Sequence, residues 1–142
     1  MKVVIASDHA GFPLKEEIKN HFASRIDFID VGTHSEDSCD YPDFAHKAAK
    51  VFIEGEAEWG IAICGSGNGI NMSMNKHKMI RSALCWTKEL SELARLHNNA
   101  NFLAMPGRYI EASLAYEIVE IFMTTEFEGG RHERRVRKIS DF

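Results

Sequence analysis

The chain has 142 residues, with 17 Lys and Arg against 21 Asp and Glu, and a formal net charge of -4 at pH 7. This balance gives no overall attraction for nucleic acid or for an anionic membrane, so an anion must be recognised by a local basic cluster. No apolar run is long enough for a signal peptide or a membrane span. The three cysteines, Cys39, Cys64 and Cys85, lack metal-ligand spacing and are expected as free thiols in a reducing, cytoplasmic compartment.

Short apolar runs alternate with longer amphipathic ones, and no repeat or linker divides the chain, which predicts one domain over residues 1–142. The predicted strands cover residues 2–6, 26–31, 59–63, 80–86 and 102–104. The predicted helices cover residues 11–24, 42–54, a short segment after the glycine-rich loop, 87–97, 108–124 and a basic segment at 131–138. Strands that alternate with helices indicate an α/β fold with a five-stranded parallel sheet covered on both faces.

Two loops that follow predicted strands are candidates for a binding site. Asp8 and His9 follow the first strand, and the sequence CGSGNG at 64–69 follows the third. In parallel sheets, ligands bind at the carboxyl ends of the strands, where the strand order reverses. In a flavodoxin-like strand order the first and third strands are neighbours, which would bring Asp8, His9 and Cys64 into one crevice.

The loop at 64–69 has glycines at alternate positions, which allow a tight turn and can present backbone N–H groups to an anion. On the glycines alone, a simple strand-to-helix connection is an equally good interpretation. Cys64 at the strand end favours a functional role, because loop amides and a helix N-terminus are expected to lower the pKa of a thiol there. Cys85 is predicted to be a core thiol and Cys39 a surface thiol.

Asp8 and His9 can orient sugar hydroxyls and transfer protons near neutral pH, and the alternative for Asp8 is a cap for the first helix. His97 ends a predicted helix and, taken alone, is better explained as a cation at the helix C-terminus. The seven histidines show no spacing typical of metal ligands, so the sequence predicts no metal site.

A basic cluster lies near the end of the chain, with five Lys and Arg among the eight residues 131–138. Such a cluster is usually a solvated face or a nucleic-acid patch. Arg131, Arg135 and Lys138, however, recur at i, i+4 and i+7 on one helix face, a stripe that suits a single phosphate group. Arg108, predicted at the start of another helix, can join this group.

With these motifs together, the chain resembles the ribose-5-phosphate isomerase B and galactose-6-phosphate isomerase family over nearly its whole length. The motifs that carry the resemblance are SDHAGFPLK at 7–15, DVGTHS at 30–35, DYPDFA at 40–45, CGSGNGI at 64–70, HNNAN at 97–101 and EGGRHERRV at 128–136. The resemblance implies a Rossmann-like three-layer α/β/α sandwich. It also implies a homodimer or tetramer with the active site at the subunit interface, and no metal or nucleotide cofactor.

The same resemblance implies an aldose–ketose isomerase that acts through an enediolate, with Cys64 as the base and ribose 5-phosphate as the substrate. Ile70 stands where another branch of the family has a glutamate base. The remaining expected roles are an anion hole from Ser66 with the amides of Gly65, Gly67, Asn68 and Gly69; ring opening by Asp8 and His97; sugar contacts from Asn98 and Tyr41; and phosphate binding by His9, Arg108, Arg131, His132 and Arg135. Met105-Pro106-Gly107 departs from the family pattern, which leaves the placement of Arg108 open.

Three alternatives remain open from the sequence. The first is an isomerase of the same family that acts on a hexose 6-phosphate such as allose 6-phosphate or galactose 6-phosphate. The second is a phosphate-sensing or nucleotide-binding module on the same fold, which needs the glycine loop and the arginines but no base such as Cys64. The third is an RNA-binding protein, which is disfavoured because the basic helix lacks aromatic stacking platforms.

Overall fold

The computed structural model describes residues 1–142 as five strands and six helices. The strands are β1 (Lys2–Ser7), β2 (Asp27–Asp30), β3 (Trp59–Cys64), β4 (Ser82–Leu84) and β5 (Phe102–Pro106). The helices are α1 (Phe12–His21), α2 (Tyr41–Ile53), α3 (Asn68–Met74), α4 (Lys88–Asn98), α5 (Ala112–Thr124) and α6 (Arg131–Ile139). All strand pairs are parallel, in the order β2-β1-β3-β5-β4.

The three central strands are buried because helices cover both faces of the sheet. Alternate side chains of β1 and β3 enter opposite cores, as a period of two requires. One core joins the strands to α1, α4 and α5, and the other joins them to α2 and α3. The result is the expected Rossmann-like three-layer α/β/α sandwich, with α6 packed outside α4.

Local sequence signals explain where several helices begin. Pro13 and Pro42 stand in the first turns of α1 and α2, where a missing N–H is not needed for helix hydrogen bonds. Thr87 caps α4, because its hydroxyl accepts a hydrogen bond from the Leu90 amide at 3.2 Å. No helix has the length and apolar character needed to cross a membrane.

The strand order agrees with the sequence-based expectation at the site and differs from it farther away. β1 and β3 are neighbours, as predicted. β5 lies between β3 and β4, whereas a flavodoxin-like order would put β4 next to β3. β4 spans only three residues, fewer than the predicted 80–86, and β5 extends two residues beyond the predicted end at 104.

The segment at Arg108 is a turn, so the predicted helix over 108–124 was wrong at its start. The Arg108 amide donates to the Gly65 carbonyl at 3.1 Å, and the Tyr109 amide donates to the Pro106 carbonyl at 2.9 Å. These hydrogen bonds tie the segment to the glycine loop and to the end of β5. The helix α5 therefore starts later, at Ala112.

The parallel sheet has two distinct edges that matter for function. Ser7, Cys64 and Pro106 end their strands at what we call the carboxyl edge. Lys2, Trp59 and Phe102 lie toward the opposite end, the amino edge. α4 starts after β4 at the carboxyl edge and ends just before β5, so its last residues reach the amino edge.

Candidate active site

A cavity of about 540 Å³ opens at the carboxyl edge, between the loops that follow β1, β3 and β5 and the start of α2. Its lining includes five of the predicted site residues. The complete lining is Asp8, His9, Ala10, Cys39, Asp40, Tyr41, Pro42, Asp43, Gly65 and Arg108. The prediction that Asp8 and His9 meet the Cys64 loop in one crevice is therefore consistent with the geometry.

Cys64 is the last residue of β3, and its thiol is almost completely buried, with 4% exposure. Burial is the largest influence on this group and raises the pKa of Cys64, and the nearby Asp8 carboxylate adds to the increase. Backbone N–H groups of Ile70, Gly67 and Gly69 favour the thiolate and oppose this increase without cancelling it. The sequence-based expectation of a lowered thiol pKa was therefore wrong in direction, because it took account of the amides and not of the burial.

The glycine loop depends on the absence of side chains at two positions. Gly67 has a φ of 76° and precedes α3, and a Cβ there would lie 2.8 Å from the Met105 carbonyl carbon. At Gly69 a Cβ would lie 2.5 Å from the Tyr41 ring. Tyr41 therefore packs directly over the loop, which places its hydroxyl at the cavity beside the backbone that surrounds Cys64.

Asp8 and His9 are held by backbone groups of two other segments. Asp8 is 6% exposed, and its Oδ1 accepts a hydrogen bond from the Gly11 amide at 2.9 Å, so it also stabilises the turn into α1. The Cys39 amide donates to Nδ1 of His9 at 3.2 Å. A neutral His9 accepting this bond carries its proton on Nε2, which leaves that nitrogen as a donor.

Arg108 reaches the cavity although it lies in a turn. Its side chain covers Gly65, where an added Cβ would lie 3.4 Å from both Cδ and Nη1 of Arg108. Ser66 and Asn68 are exposed on the outer side of the loop, and the Asn68 amide donates to the Ser66 hydroxyl oxygen at 3.3 Å. The carboxyl edge thus combines a cation, an imidazole donor and a hydroxyl around the buried thiol.

A second group of predicted site residues lies at the amino edge. The rings of His97 and His132 stack with centroids 4.2 Å apart and an interplanar angle of 13°. Burial, together with the charge of His97, lowers the pKa of His132, so its ring is predominantly neutral at pH 7. Glu128 lies beside both rings, with its carboxylate 3.9 Å from His132 and 4.0 Å from His97.

Asn98, Arg131 and Arg135 belong to the same amino-edge group and are exposed. Asn98 lines a separate cavity of about 480 Å³ with residues of the α3–β4 connection and the end of the chain. The only salt bridge within α6 joins Arg137 to Glu133, so Arg131 and Arg135 remain available to an external anion.

One chain does not bring the two groups together. β3 has six residues and is therefore roughly 20 Å long, and the two groups lie beyond its opposite ends. Asp8, His9, Tyr41, Arg108 and the Cys64 loop share one cavity edge. The remaining predicted residues, which are His97, Asn98, Arg131, His132 and Arg135, lie at the other edge.

The sequence-based argument missed two contributors to these groups. Cys39 was predicted only as a surface thiol, yet its amide binds His9 and the residue lines the cavity. Glu128 lies beside His132, four residues later in the chain, and beside His97, which is distant in sequence. The four-residue spacing of Glu128 and His132 was a signal that could have indicated their contact. The contacts of Cys39 with His9 and of Glu128 with His97 join distant parts of the chain and depend on how loops and helices meet in the fold.

The protein is an α/β protein with a cavity at the carboxyl ends of its parallel strands, the place where proteins of this architecture bind ligands. A sequence model described as Ribose/Galactose Isomerase matches residues 3–139. Ribose-5-phosphate isomerase B of Escherichia coli K12 is 40% identical over 140 residues, which cover 98% of this chain and 94% of that protein. The chain therefore belongs to the ribose/galactose isomerase family, and the protein is an isomerase.

Solved structures agree with this assignment. A ribose 5-phosphate isomerase of Thermotoga maritima superposes with a TM-score of 0.97 at 50% identity, covering 99% of this chain and 98% of that one. Ribose-5-phosphate isomerase B of Mycoplasma genitalium, solved with bound ribulose-5-phosphate, has a TM-score of 0.92 at 40% identity, covering 99% and 94%. The α/β fold is thus shared over essentially the whole length of the chain.

Proposed function

We propose that this protein interconverts ribose 5-phosphate and ribulose 5-phosphate through an enediolate, with Cys64 as the base. The observation that carries this proposal is the grouping of Cys64, Asp8, His9 and Arg108 at one edge of the sheet in a member of an isomerase family. The E. coli and M. genitalium relatives are named as isomerases of ribose 5-phosphate, which supports the choice of sugar.

The proposed reaction moves one proton between two neighbouring carbons. In the open-chain aldose, the Cys64 thiolate removes the proton from C2, and the electron pair moves through C1 to the carbonyl oxygen. The same thiol then returns the proton to C1, and the proton of the C2 hydroxyl passes to the C1 oxygen, which gives the ketose and restores the thiolate. The backbone amides of Gly67 and Gly69 favour the thiolate and thereby support its role before the transfer.

Stabilisation of the oxyanion is assigned to groups on the outer side of the same loop. Ser66 is exposed at the carboxyl edge and, with the amides of Gly65 and Asn68, is suited to face the negative oxygen of the enediolate. Asp8 is assigned to ring opening with His97, and Tyr41 to contact with the sugar. These roles follow the family resemblance and are compatible with the positions of Asp8 and Tyr41 on the cavity wall.

We further propose that a second copy of the chain completes the site, in a homodimer or tetramer. His9 and Arg108 would meet the phosphate from one copy, and Arg131, His132 and Arg135 from the other, with Asn98 on the sugar. The separation of these groups by the length of the sheet supports this arrangement, since a single chain cannot join them.

The surface at the carboxyl edge also suits a subunit interface. Trp86 is 50% exposed and Tyr109 is 77% exposed, and they follow β4 and β5 at that edge. Large aromatic side chains are enriched at the centres of protein interfaces. We also propose a cytoplasmic location, because the three thiols are unpaired and a reducing compartment keeps them so.

A hexose 6-phosphate is the second candidate substrate, because the family description names both ribose and galactose. The cavity of about 540 Å³ has room for a sugar phosphate with one additional carbon. The decisive assay measures kcat/KM on ribose 5-phosphate, allose 6-phosphate and galactose 6-phosphate with the same enzyme preparation. We expect the highest value for ribose 5-phosphate, and a higher value for either hexose phosphate would overturn the choice of sugar.

A further inference from the structure

We propose that Arg95 is a positioning residue for the amino-edge group, because its side chain sets where His97 and Asn98 lie. Arg95 stands in the last turn of α4, two residues before His97. It does not line the cavity at the carboxyl edge, so it acts on a substrate only through its neighbours. The inference rests on the proposed function, in which His97 and Asn98 act on a substrate held by a second copy of the chain.

The guanidinium group of Arg95 joins segments that are distant in sequence. Its Nε donates to the carbonyl of Thr125, directly after α5, at 3.1 Å. Its Nη1 donates to the side-chain oxygen of Asn99 at 3.0 Å and also to the carbonyl of Ala100. One planar group thus holds the end of α4, the turn that follows it and the end of α5 in a fixed relation.

The turn that Arg95 holds comes directly after Asn98. Asn99 has a φ of 46° and a ψ of 45°, and it is the only residue other than glycine with a positive φ. This conformation is uncommon for a residue with a Cβ, although Asn tolerates it better than most. The Asn99 carbonyl accepts two hydrogen bonds from Arg81, at 3.1 and 2.9 Å, while Arg95 binds the Asn99 side chain. The two arginines therefore fix the direction in which the chain leaves Asn98.

The two arginines are costly to keep at this place. The acceptors of their side chains are carbonyl and amide oxygens rather than carboxylates. Burial lowers the pKa of both guanidinium groups, and the charge of Arg81 lowers the pKa of Arg95 further. Partly buried cations of this kind add little net stability. Their bonds to an unusual turn beside His97 and Asn98 point to a functional reason for the arrangement.

Arg95 also acts on the second segment of the amino-edge group. Its bond beyond α5, together with the bond from the Glu128 amide to the Leu96 carbonyl at 3.1 Å, fastens the α5–α6 connection to the end of α4. His132 follows in α6, and its ring stacks on His97 with centroids 4.2 Å apart. Loss of Arg95 is therefore expected to change the relation of the two rings as well as the turn after α4.

Arg95→Met removes all three hydrogen bonds and keeps an unbranched side chain of similar length. We expect kcat/KM on ribose 5-phosphate to fall about ten- to a hundredfold, because a displacement of about 1 Å at reacting groups has effects of this size. Arg95→Lys keeps the charge but has one nitrogen in place of the planar fork, so most of the loss should persist. Arg25→Met is the matched control, since the bonds of Arg25 go to Glu120, and its kcat/KM should stay unchanged. Equal kcat/KM of Arg95→Met and the unaltered protein would overturn the proposal.

Mixed dimers separate positioning from a general loss of stability. In Arg95→Met only the amino-edge group is impaired, so a mixed dimer with Cys64→Ala contains one site with both groups intact. Subunit exchange should therefore restore about a quarter of the unaltered activity. Exchange with His97→Ala should restore nothing, because both chains are impaired in the same group. If Cys64→Ala and His97→Ala restore each other, restoration of Arg95→Met by His97→Ala, or none by Cys64→Ala, would overturn the proposal.

A measurement without substrate keeps this inference separate from the proposed function. If no sugar phosphate is isomerised, or if Cys64→Ala and His97→Ala do not restore each other, the proposed function fails. The ring-proton resonances of His97 and His132 still report the stacking, because stacked rings shift each other's signals through their ring currents. With the signals assigned by His97→Ala, we expect NMR spectra of Arg95→Met to show shifted ring resonances and those of Arg25→Met to match the unaltered protein. Unchanged ring resonances in Arg95→Met would overturn the inference, and Arg95→Lys takes the place of Arg95→Met throughout if that variant does not fold.

Discussion

The Cys64 thiol is subject to two opposing influences. Burial and the Asp8 carboxylate favour the neutral thiol, whereas three loop amides favour the thiolate. Because burial prevails, the pKa of Cys64 is raised and most of the thiol is protonated near neutral pH. The amides nevertheless favour the thiolate, which is the form that the proposed mechanism requires as its base.

This balance predicts that activity increases with pH. Only the thiolate can accept the proton from the sugar, and its fraction grows until the pH passes the raised pKa of Cys64. We expect kcat/KM on ribose 5-phosphate to increase from about pH 7 to about pH 9, above the titration range of the substrate phosphate. Steady-state rates in buffers of constant ionic strength measure this dependence, and a decrease over that range would contradict a thiolate base.

Arg135 provides a test of the phosphate assignment at a residue remote from the chemistry. Arg135→Ala removes a charge-assisted contact worth roughly 1.5–3 kcal/mol, so kcat/KM should fall about ten- to a hundredfold, mainly through KM. Arg137→Ala is the matched control, because Arg137 lies on the same helix and pairs with Glu133. If both variants had the same KM as the unaltered enzyme, α6 would be only a solvated helix.

At the scale of elements, a buried lysine holds the end of β1 in place. Lys15 of α1 has no exposed surface, and its Nζ donates to both carboxylate oxygens of Asp30 and to the Thr33 carbonyl. The Ser7 amide donates to the Gly32 carbonyl at 2.9 Å, and the Thr33 amide returns a bond to Ser7. The connection after β2 is thereby joined to the strand end that positions Asp8.

Lys15→Met should destabilise the protein by about 3 kcal/mol, because it leaves a largely buried carboxylate without its main partner. Burial by itself raises the pKa of Asp30, but the bonds from Lys15, Lys19 and the Gly32 amide outweigh it and lower that pKa. A lowered carboxyl pKa stabilises the fold above the unfolded value near pH 4, and this contribution is lost as the pH falls further.

The difference between Lys15→Met and the unaltered protein should therefore be large at pH 7 and shrink below about pH 4. Urea unfolding at the two pH values measures it. Lys19→Met is the control: Lys19 also binds Asp30, but its side chain is 29% exposed, so the loss should be about 1 kcal/mol or less. A Lys15→Met protein as stable as the control would contradict the role given to this contact.

At the scale of the whole molecule, the sheet separates the site residues into two groups at opposite edges. In the closed dimer that we propose, the same two surfaces would meet twice and create two equivalent sites. Each site would then take the Cys64 loop from one copy and His97 from the other. Residues of one chain that never meet each other can in this way act on the same substrate.

Complementation between two inactive variants tests this arrangement. Cys64→Ala and His97→Ala each abolish their own sites, but a mixed dimer regains one site with both residues intact. After subunit exchange, about one quarter of all sites should be native, so the mixture should regain about a quarter of the unaltered activity. Native mass spectrometry confirms that mixed dimers form, and their formation without any regained activity would contradict a shared site.

The sequence predicts the elements well because each one has a local signal. Alternating apolar runs locate the five strands, and Pro42 locates the start of α2. The position of β5 between β3 and β4 has no such signal, because it depends on which strand the returning chain contacts. The turn at Arg108 also has no local signal, and the sequence therefore predicted a helix there. The Arg108 amide instead donates to the carbonyl of Gly65, a residue distant in sequence.

The candidate site residues were predicted from motifs, and their roles remain proposals, whereas the predicted direction of the Cys64 pKa was wrong. The loop amides around Cys64 could be anticipated from the glycine spacing, whereas the burial that raises the pKa of Cys64 arises only from tertiary packing. Glu128 stands four residues before His132, but its contact with His97 joins distant parts of the chain and has no local signal. Local sequence thus predicts which groups are present, and the packing decides their protonation and their neighbours.

The most direct measurement of the central claim follows ribose 5-phosphate in deuterated water by NMR. An isomerase with an enediolate intermediate and one exchanging base should form ribulose 5-phosphate that carries solvent deuterium at C1. Cys64→Ala should lower the rate at least ~10²-fold, while Cys85→Ala, which removes a core thiol whose pKa is raised to about 12, should leave it nearly unchanged. Conversion by Cys64→Ala at more than about a tenth of the unaltered rate would contradict Cys64 as the base, and absence of conversion by the unaltered protein would contradict the proposed reaction.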